Sequence, residues 1–173
     1  MAGEGSRRPG RPGRYGAGGQ DDRSRGEPAR PVSSHTPTPY IIDTGVLIEI
    51  ARGDLGLITL MQTYDSRDQP LVVPTLALVG ASLDVRSDEA DDLLAGLDLL
   101  DAVTIAPLSG PEQAASLADV IARTGLGPWD AHVAAVADAS VCPILTLDRG
   151  PWEGVSRALD EPLHFMVIAD PDE

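Results

Sequence analysis

The chain has 173 residues, of which 42% are hydrophobic, with a formal net charge of −14 and a single cysteine. This length suits one domain of ordinary size, and one cysteine excludes an internal disulfide or a zinc site built from several cysteines. No apolar run approaches the roughly 20 residues that span a membrane. No apolar segment follows the charged N-terminus as it would in a secretory signal, so a cytoplasmic location is expected.

The charge is divided unevenly along the chain. Residues 1–38 hold seven Arg and four acidic residues, whereas residues 40–173 hold six Arg, 23 acidic residues and no Lys. Release of counterions on nucleic-acid binding requires Lys and Arg. The acidic part therefore does not favour broad contact with phosphates.

Residues 1–38 are rich in Gly, Pro and Arg, and Val32 is their only branched aliphatic residue. Such a segment buries too little apolar surface to offset its conformational entropy, so we predict a disordered tail before a domain at 39–173. Three explanations of the tail remain open. It is a basic arm that touches nucleic acid, a spacer, or an extension ahead of a translation start at Val32.

From residue 40 onward, short apolar runs alternate with helical patterns. Strands without polar alternation, separated by helices, are typical of a parallel sheet covered on both faces. The predicted fold class is therefore α/β, a three-layer α/β/α sandwich with a central, mostly parallel sheet. The predicted strands are 40–43, 71–73, 103–108, 143–148 and 164–168, and the predicted helices are 45–54, 55–68, 75–85, 87–100, 111–125 and 129–139.

Three aspartates stand at the boundaries of these elements. Asp43 ends the first strand, Asp148 ends the strand PILTLD, and Asp130 opens the Ala-rich helix WDAHVAAVADA. Functional groups collect at the carboxyl edge of a parallel sheet. We expect the loop at 125–128 to be needed to carry Asp130 back to that edge.

Carboxylates that meet at one point raise one another's pKa unless a cation is present, and Mg²⁺ or Mn²⁺ is the usual cation for all-oxygen ligands. Such an ion orients water and neutralises charge on a phosphodiester. Simpler roles remain open for each residue. Asp43 and Asp130 are also candidate helix N-caps, and Asp148 before Arg149 and Gly150 is a candidate turn residue.

Two further residues are assigned structural roles. Cys142 lies in an apolar stretch and is interpreted as a buried thiol. His132 follows Asp130 by two residues, so the two side chains point to different faces of one helix. No pair of histidines has the spacing of a zinc site.

Three segments together resemble the PIN domain, and more specifically the ribonuclease toxins of VapBC-type toxin–antitoxin modules. They are YIIDTGVLIEIARGD, LVVPTLALVGASLDV and LGPWDAHVAAVADASVCPILTLDRG. The shared order is Asp-Thr after the first strand, an Asp opening an Ala-rich helix, and Thr-x-Asp after the next strand. The resemblance extends from about Tyr40 to the end of the chain.

This resemblance implies that Asp43, Asp130 and Asp148 converge on Mg²⁺ or Mn²⁺ and support hydrolysis of single-stranded RNA. Thr44 and Thr146 are implied as hydroxyls that position these ligands. Arg149 is implied as a phosphate contact, with a surface role as the alternative. The implied partners are RNA, a cognate antitoxin and a second copy of the chain in a homodimer.

One family residue is missing. The family usually carries a Glu in the helix after the second strand, and that place falls at about Gly80. Asp84 lies one helical turn further on, about 6 Å along the axis, on the same face. Whether Asp84 substitutes for the Glu is open.

Two functions follow from these residues. One is a metal-dependent endoribonuclease, which the three remaining acids favour. The other is a degenerate PIN-like binding module that lost catalysis with the Glu and contacts a partner through 46–51 and 57–61, although those segments are more typical of a core. We predict that wild type binds Mn²⁺ weakly and that Gly80→Glu tightens this binding. Activity in Gly80→Glu without activity in wild type would support the second hypothesis.

Overall fold

A computed structural model describes residues 37–168 of the protein. Within this range the chain forms a five-stranded, wholly parallel sheet in the order β3-β2-β1-β4-β5. The predicted tail at 1–38 lies almost entirely outside the described residues. The strands are β1 Tyr40–Ile42, β2 Leu71–Pro74, β3 Val103–Ala106, β4 Ile144–Thr146 and β5 Phe165–Val167.

Seven α-helices connect the strands within the described range and cover the sheet, which confirms the predicted α/β fold class. A short 3₁₀ turn at Leu97–Leu99 follows the fourth helix. None of the helices described is long and apolar enough to cross a membrane. The helices are α1 Thr44–Ala51, α2 Leu55–Asp65, α3 Thr75–Val85, α4 Asp88–Gly96, α5 Gly110–Thr124, α6 Pro128–Ser140 and α7 Gly150–Ala158.

Local side-chain chemistry fixes where several helices begin and end. The carboxylates of Asp43 and Asp54 accept the N–H groups of the residues three positions on, at 2.8 and 2.9 Å, and so cap α1 and α2. Ser87 caps α4 in the same way. Gly125 ends α5 with a φ of +71°, a left-handed conformation that glycine adopts without a steric cost.

The central strands are buried because the helices cover both of their faces. Ile41, Ile42, Ile144 and Leu145 have no exposed surface. The apolar residues of the segments 46–51 and 57–61 also point largely into this core, as the composition of those segments indicated. These two segments therefore offer little surface for a partner.

The structure contains a helix that the sequence analysis did not predict. Residues 150–158 form α7, although Asp148-Arg149-Gly150 suggested only a turn. The helix contains two glycines, which disfavour it intrinsically. Burial of Trp152 and Val155, three residues apart on one face, offsets that preference.

Candidate functional site

A cleft of about 430 Å³ opens at the carboxyl ends of β1 and β4. Four aspartates line it, and no Lys, Arg or His does so among the described residues. Its walls come from α1, α3, α6, α7 and the loops beside them. The lining residues are Asp43, Thr44, Gly45, Ile48, Gly80, Asp84, Leu126, Trp129, Asp130, Thr146, Leu147, Asp148, Pro151 and Trp152.

Asp43 lies at the bottom of the cleft with only 5% of its surface exposed. Its Oδ1 accepts the Val46 N–H, and its Oδ2 receives a long contact of 3.4 Å from the indole N–H of Trp152. Burial raises the pKa of Asp43 above its ordinary value of 3.8, and the nearby charge of Asp130 adds to the increase. The hydrogen bonds oppose this shift without cancelling it. A cation in the cleft would offset the remaining cost.

Asp130 occupies the third position of α6, behind Pro128 and Trp129. It is not the N-cap of that helix, and its carboxylate has no hydrogen bond or ion pair to any residue within 37–168. The expectation that a special loop must return it to the strand ends is wrong. Because a short connection joins the end of α6 to the start of β4, the helix runs back along the strand, and its N-terminus lies beside the strand's carboxyl end.

Thr146 and Asp148 end β4 on the other side of Asp43. The Thr146 hydroxyl accepts the Asp148 N–H at 3.2 Å and lies 3.0 Å from the Asp148 carbonyl oxygen. A hydrogen bond from the Thr146 hydroxyl also lowers the pKa of Asp43. Because a hydroxyl has one hydrogen, Thr146 donates either to Asp43 or to the Asp148 carbonyl oxygen at any one time. Asp148 is exposed, and its Oδ1 accepts the Gly150 N–H at 2.7 Å, as the turn alternative predicted.

The oxygen atoms around Asp43 match the ligand chemistry of a hard divalent ion. The hydroxyl of Thr44 is buried and has no hydrogen-bond partner, which makes it the kind of group that a bound ion or its water satisfies. In the conformation described for 37–168, no three acidic, His or Cys side chains stand close enough to form a metal site. Binding would therefore require the free carboxylate of Asp130 and the exposed one of Asp148 to turn inward.

Gly80, near which the family resemblance led us to expect a Glu, is covered by Trp129. A Cβ atom on Gly80 would lie 2.8 Å from Cγ of Trp129, 3.0 Å from its Cβ and 3.1 Å from Cγ2 of Thr44. Real Cβ atoms essentially never approach other atoms this closely. Trp129 therefore occupies the space that a larger side chain at position 80 would need.

Asp84 lines the cleft but is already paired. Its Oδ2 lies 2.7 Å from Nη2 of Arg52, whose Nη1 binds Glu49. This pairing disfavours Asp84 as a replacement for the Glu. Arg149 does not line the cleft; it lies 3.5 Å from Glu153 and stacks 5.8 Å from the centre of the Phe165 ring.

The sequence analysis missed both tryptophans that line the cleft. Trp129 precedes Asp130 in α6, and consecutive helical residues project about 100° apart, so adjacency alone did not place both at one cavity. Trp152 lies on α7, which was not predicted. The apolar spacing of Trp152 and Val155 was the available signal for that helix.

The fold and cleft together define an α/β protein with an acidic site at the carboxyl edge of a parallel sheet. The model of the PIN domain family matches residues 40–157, and the chain belongs to this family. No curated protein sequence matches the chain significantly.

Among the solved structures that share the fold are two VapBC complexes. One is VapBC2 from Rickettsia felis bound to a DNA fragment from their promoter, with a TM-score of 0.51 and 15% identity over 74% of this chain and 98% of that one. The other is DNA-bound VapBC from Salmonella typhimurium, with a TM-score of 0.51 and 14% identity over 75% and 98% of the two chains.

Proposed function

We propose that the protein is a Mg²⁺- or Mn²⁺-dependent endoribonuclease of the VapC toxin type. The observation that supports this function is the presence of Asp43, Asp130 and Asp148 in one cleft of a PIN domain. Gly80 and the paired Asp84 leave these three as the available carboxylates. A divalent ion there would supply charge neutralisation on the phosphodiester and a more acidic water.

The chain's own residues would prepare this site in three ways. Asp43 is fixed by the Val46 N–H and by burial, so it offers a carboxylate whose position does not have to be ordered on binding. Thr146 holds the backbone of Asp148 at the end of β4. Asp130 projects from the first turn of α6, and because its carboxylate has no partner in the described part of the chain, it can turn toward an ion.

RNA cleavage tests this function directly. We expect the full chain to cut single-stranded RNA internally with Mg²⁺ or Mn²⁺ and to lose activity with chelator. Asp43→Asn, Asp130→Asn and Asp148→Asn should each abolish cleavage, because each removes a ligand charge. The matched control is Asp138→Asn, since Asp138 is an exposed acid of the same helix α6 outside the cleft.

The outcome that contradicts the proposal is cleavage that persists in Asp43→Asn or in chelator, which would assign the activity to a contaminant or another site. A complete lack of cleavage by the wild-type chain under these conditions would favour the degenerate binding module.

The partner assignments belong to the same proposal. The two similar structures are of VapBC bound to DNA, which supports a cognate antitoxin as a partner of this chain. A homodimer is the proposed assembly. Co-purification with the product of the adjacent open reading frame tests the first, and sedimentation of the purified chain tests the second.

A further inference from the structure

Within residues 37–168, no cationic side chain of the kind that usually holds phosphates in nucleic-acid-binding proteins lines the cleft. Its charged lining consists of four aspartates, and the nearby Arg52 is bound to Glu49 and Asp84. If the cleft binds RNA as proposed above, a divalent ion would supply the attraction for phosphate at this lining. Its aromatic side chains are then the surfaces on which bases can stack.

In the described part of the chain, Trp129 and Trp152 are the two aromatic residues that line the cleft. They differ in how accessible their indole rings are to a ligand. Only 4% of the surface of Trp152 is exposed, and its indole N–H points to Asp43. Trp129 is half-buried, and its indole N–H contacts no acceptor among the described residues. That N–H is also absent from the fully buried unpartnered atoms of the described residues, so it keeps some solvent-accessible surface.

One side of the Trp129 side chain packs against the protein. Its Cγ and Cβ lie against Gly80, and Gly127 lies near the edge that carries Cδ1 and Nε1, where a Cβ atom would be 3.9 Å away. Because the backbone of α3 supports the ring at Gly80, the indole is a rigid surface with little rotamer freedom to lose on binding. Trp129 and Asp130 both line the cleft, which places this surface in the same cavity as the proposed metal ligand.

We propose that Trp129 is a substrate-binding residue on which a base of single-stranded RNA stacks next to the cleaved phosphate. This inference rests on the proposed nuclease function. Stacking accepts every base and requires an unpaired one, so the site selects single strands over duplexes with little preference for sequence. The absence of a side chain at position 80 makes room for the indole that does this.

The chain has two tryptophans, and both line the cleft, so labelling with 5-fluorotryptophan gives a direct reporter. In the full wild-type chain with Mg²⁺, we expect a single-stranded RNA oligomer to shift the ¹⁹F resonance of Trp129. An oligomer of the same length without bases should leave that resonance unchanged. Trp129→Phe and Trp152→Phe assign the two resonances. Cleavage of the RNA is followed in the same samples.

These readouts separate the two proposals. Cleavage of RNA without a shift of the Trp129 resonance overturns the stacking proposal and leaves the nuclease function intact. A base-dependent shift without cleavage supports stacking and counts against the nuclease. An equal shift with the base-free oligomer also overturns stacking, because phosphate alone would then cause it.

Kinetics provide a second test that does not depend on the label. Trp129→Leu removes the aromatic face but keeps apolar bulk against Gly80, and we expect KM for RNA to rise roughly 5- to 150-fold, the loss typical of one stacked base. Trp129→Phe should restore most of the affinity, and kcat should change little in either variant. A residue that only filled space would instead alter thermal stability while KM stayed near the wild-type value, and that result would contradict the proposal.

Discussion

The ring of Trp129 lies directly over Gly80, with Cγ of Trp129 only 2.8 Å from where a Cβ atom on Gly80 would stand. The two residues are 49 positions apart in sequence and belong to α6 and α3. Their contact fills the space in which the family resemblance led us to expect a Glu side chain. The single substitution Gly80→Glu would therefore clash with the side chain of Trp129, which already occupies that space.

This contact changes the prediction for Gly80→Glu. We expect that variant to be destabilised and to bind Mn²⁺ no more tightly than wild type, because the new side chain must displace Trp129. Gly80→Ala should already cost about 1–3 kcal/mol of stability through overpacking, reduced by the better helix propensity of Ala. The double variant Gly80→Glu/Trp129→Ala should bind Mn²⁺ more tightly than Gly80→Glu alone, because the space for the new carboxylate is then empty. Chemical denaturation and Mn²⁺ titration measure both effects.

Gly154 is the matched control for this prediction. It also lies inside a helix, α7, but a Cβ atom there would meet nothing within 4 Å. Gly154→Ala should therefore stabilise the protein by about 0.5–1 kcal/mol. Equal effects of Ala at positions 80 and 154 would show that Trp129 does not block position 80.

Replacement of Asp43 by Asn should leave the metal-free protein at least as stable as wild type at neutral pH. Burial raises the pKa of Asp43, so the folded state disfavours its charge. Asn keeps an oxygen for the Val46 N–H and remains a good N-cap. The advantage of Asn should grow as pH rises from about 3.8 through the folded-state pKa, because wild type loses stability across that window.

Thermal unfolding in chelator across this pH range tests the prediction. Asp54→Asn is the control, because Asp54 caps α2 by the same type of bond from an exposed position. A wild-type chain that remains more stable than Asp43→Asn throughout the range would contradict it.

His132 should give a pH dependence opposite to that of Asp43, so that the protein loses stability as pH falls. Its buried ring accepts the Leu76 N–H through Nδ1 at 3.3 Å, at the start of α3, and burial lowers the pKa of His132 below its ordinary value of 6.5. The stability it contributes is fully present above pH 6.5 and is lost as pH falls toward the folded-state pKa. An Asn side chain at position 132 also offers a hydrogen-bond acceptor, but it does not change its protonation state in this pH range.

His132→Asn should therefore flatten the loss of stability below pH 6.5, measured by denaturation in the absence of divalent ions. If wild type and His132→Asn lose stability in parallel between pH 6.5 and 5, protonation of His132 is not responsible.

Much of the fold was predictable because its signals are local. Apolar runs such as Leu71–Val73 mark buried parallel strands, and cap residues such as Asp54 and Ser87 mark helix starts. The helix α7 was not predicted, since Gly150 and Gly154 lower its intrinsic propensity and only packing of Trp152 stabilises it. A pattern read along the chain does not contain that tertiary contribution.

The candidate site was predictable only in part. The order of elements placed Asp43 and Asp148 at strand ends and Asp130 at the start of the Ala-rich helix, and the family resemblance implied that the three converge on one ion. The pairing of Asp84 with Arg52 depends on the contact between α1 and α3. The packing of Trp129 on Gly80 depends on the contact between α3 and α6. No spacing within a single segment encodes such contacts.

The most direct test of a shared divalent site is Mn²⁺ binding followed by electron paramagnetic resonance on the full chain. Wild type should bind Mn²⁺, and Asp43→Asn, Asp130→Asn and Asp148→Asn should each weaken binding about tenfold or more, since each removes a charged oxygen ligand. Asp84→Asn should bind as wild type does, because Arg52 already holds that carboxylate. Wild-type affinity in any of the first three variants, or none in the wild-type chain itself, would contradict the account.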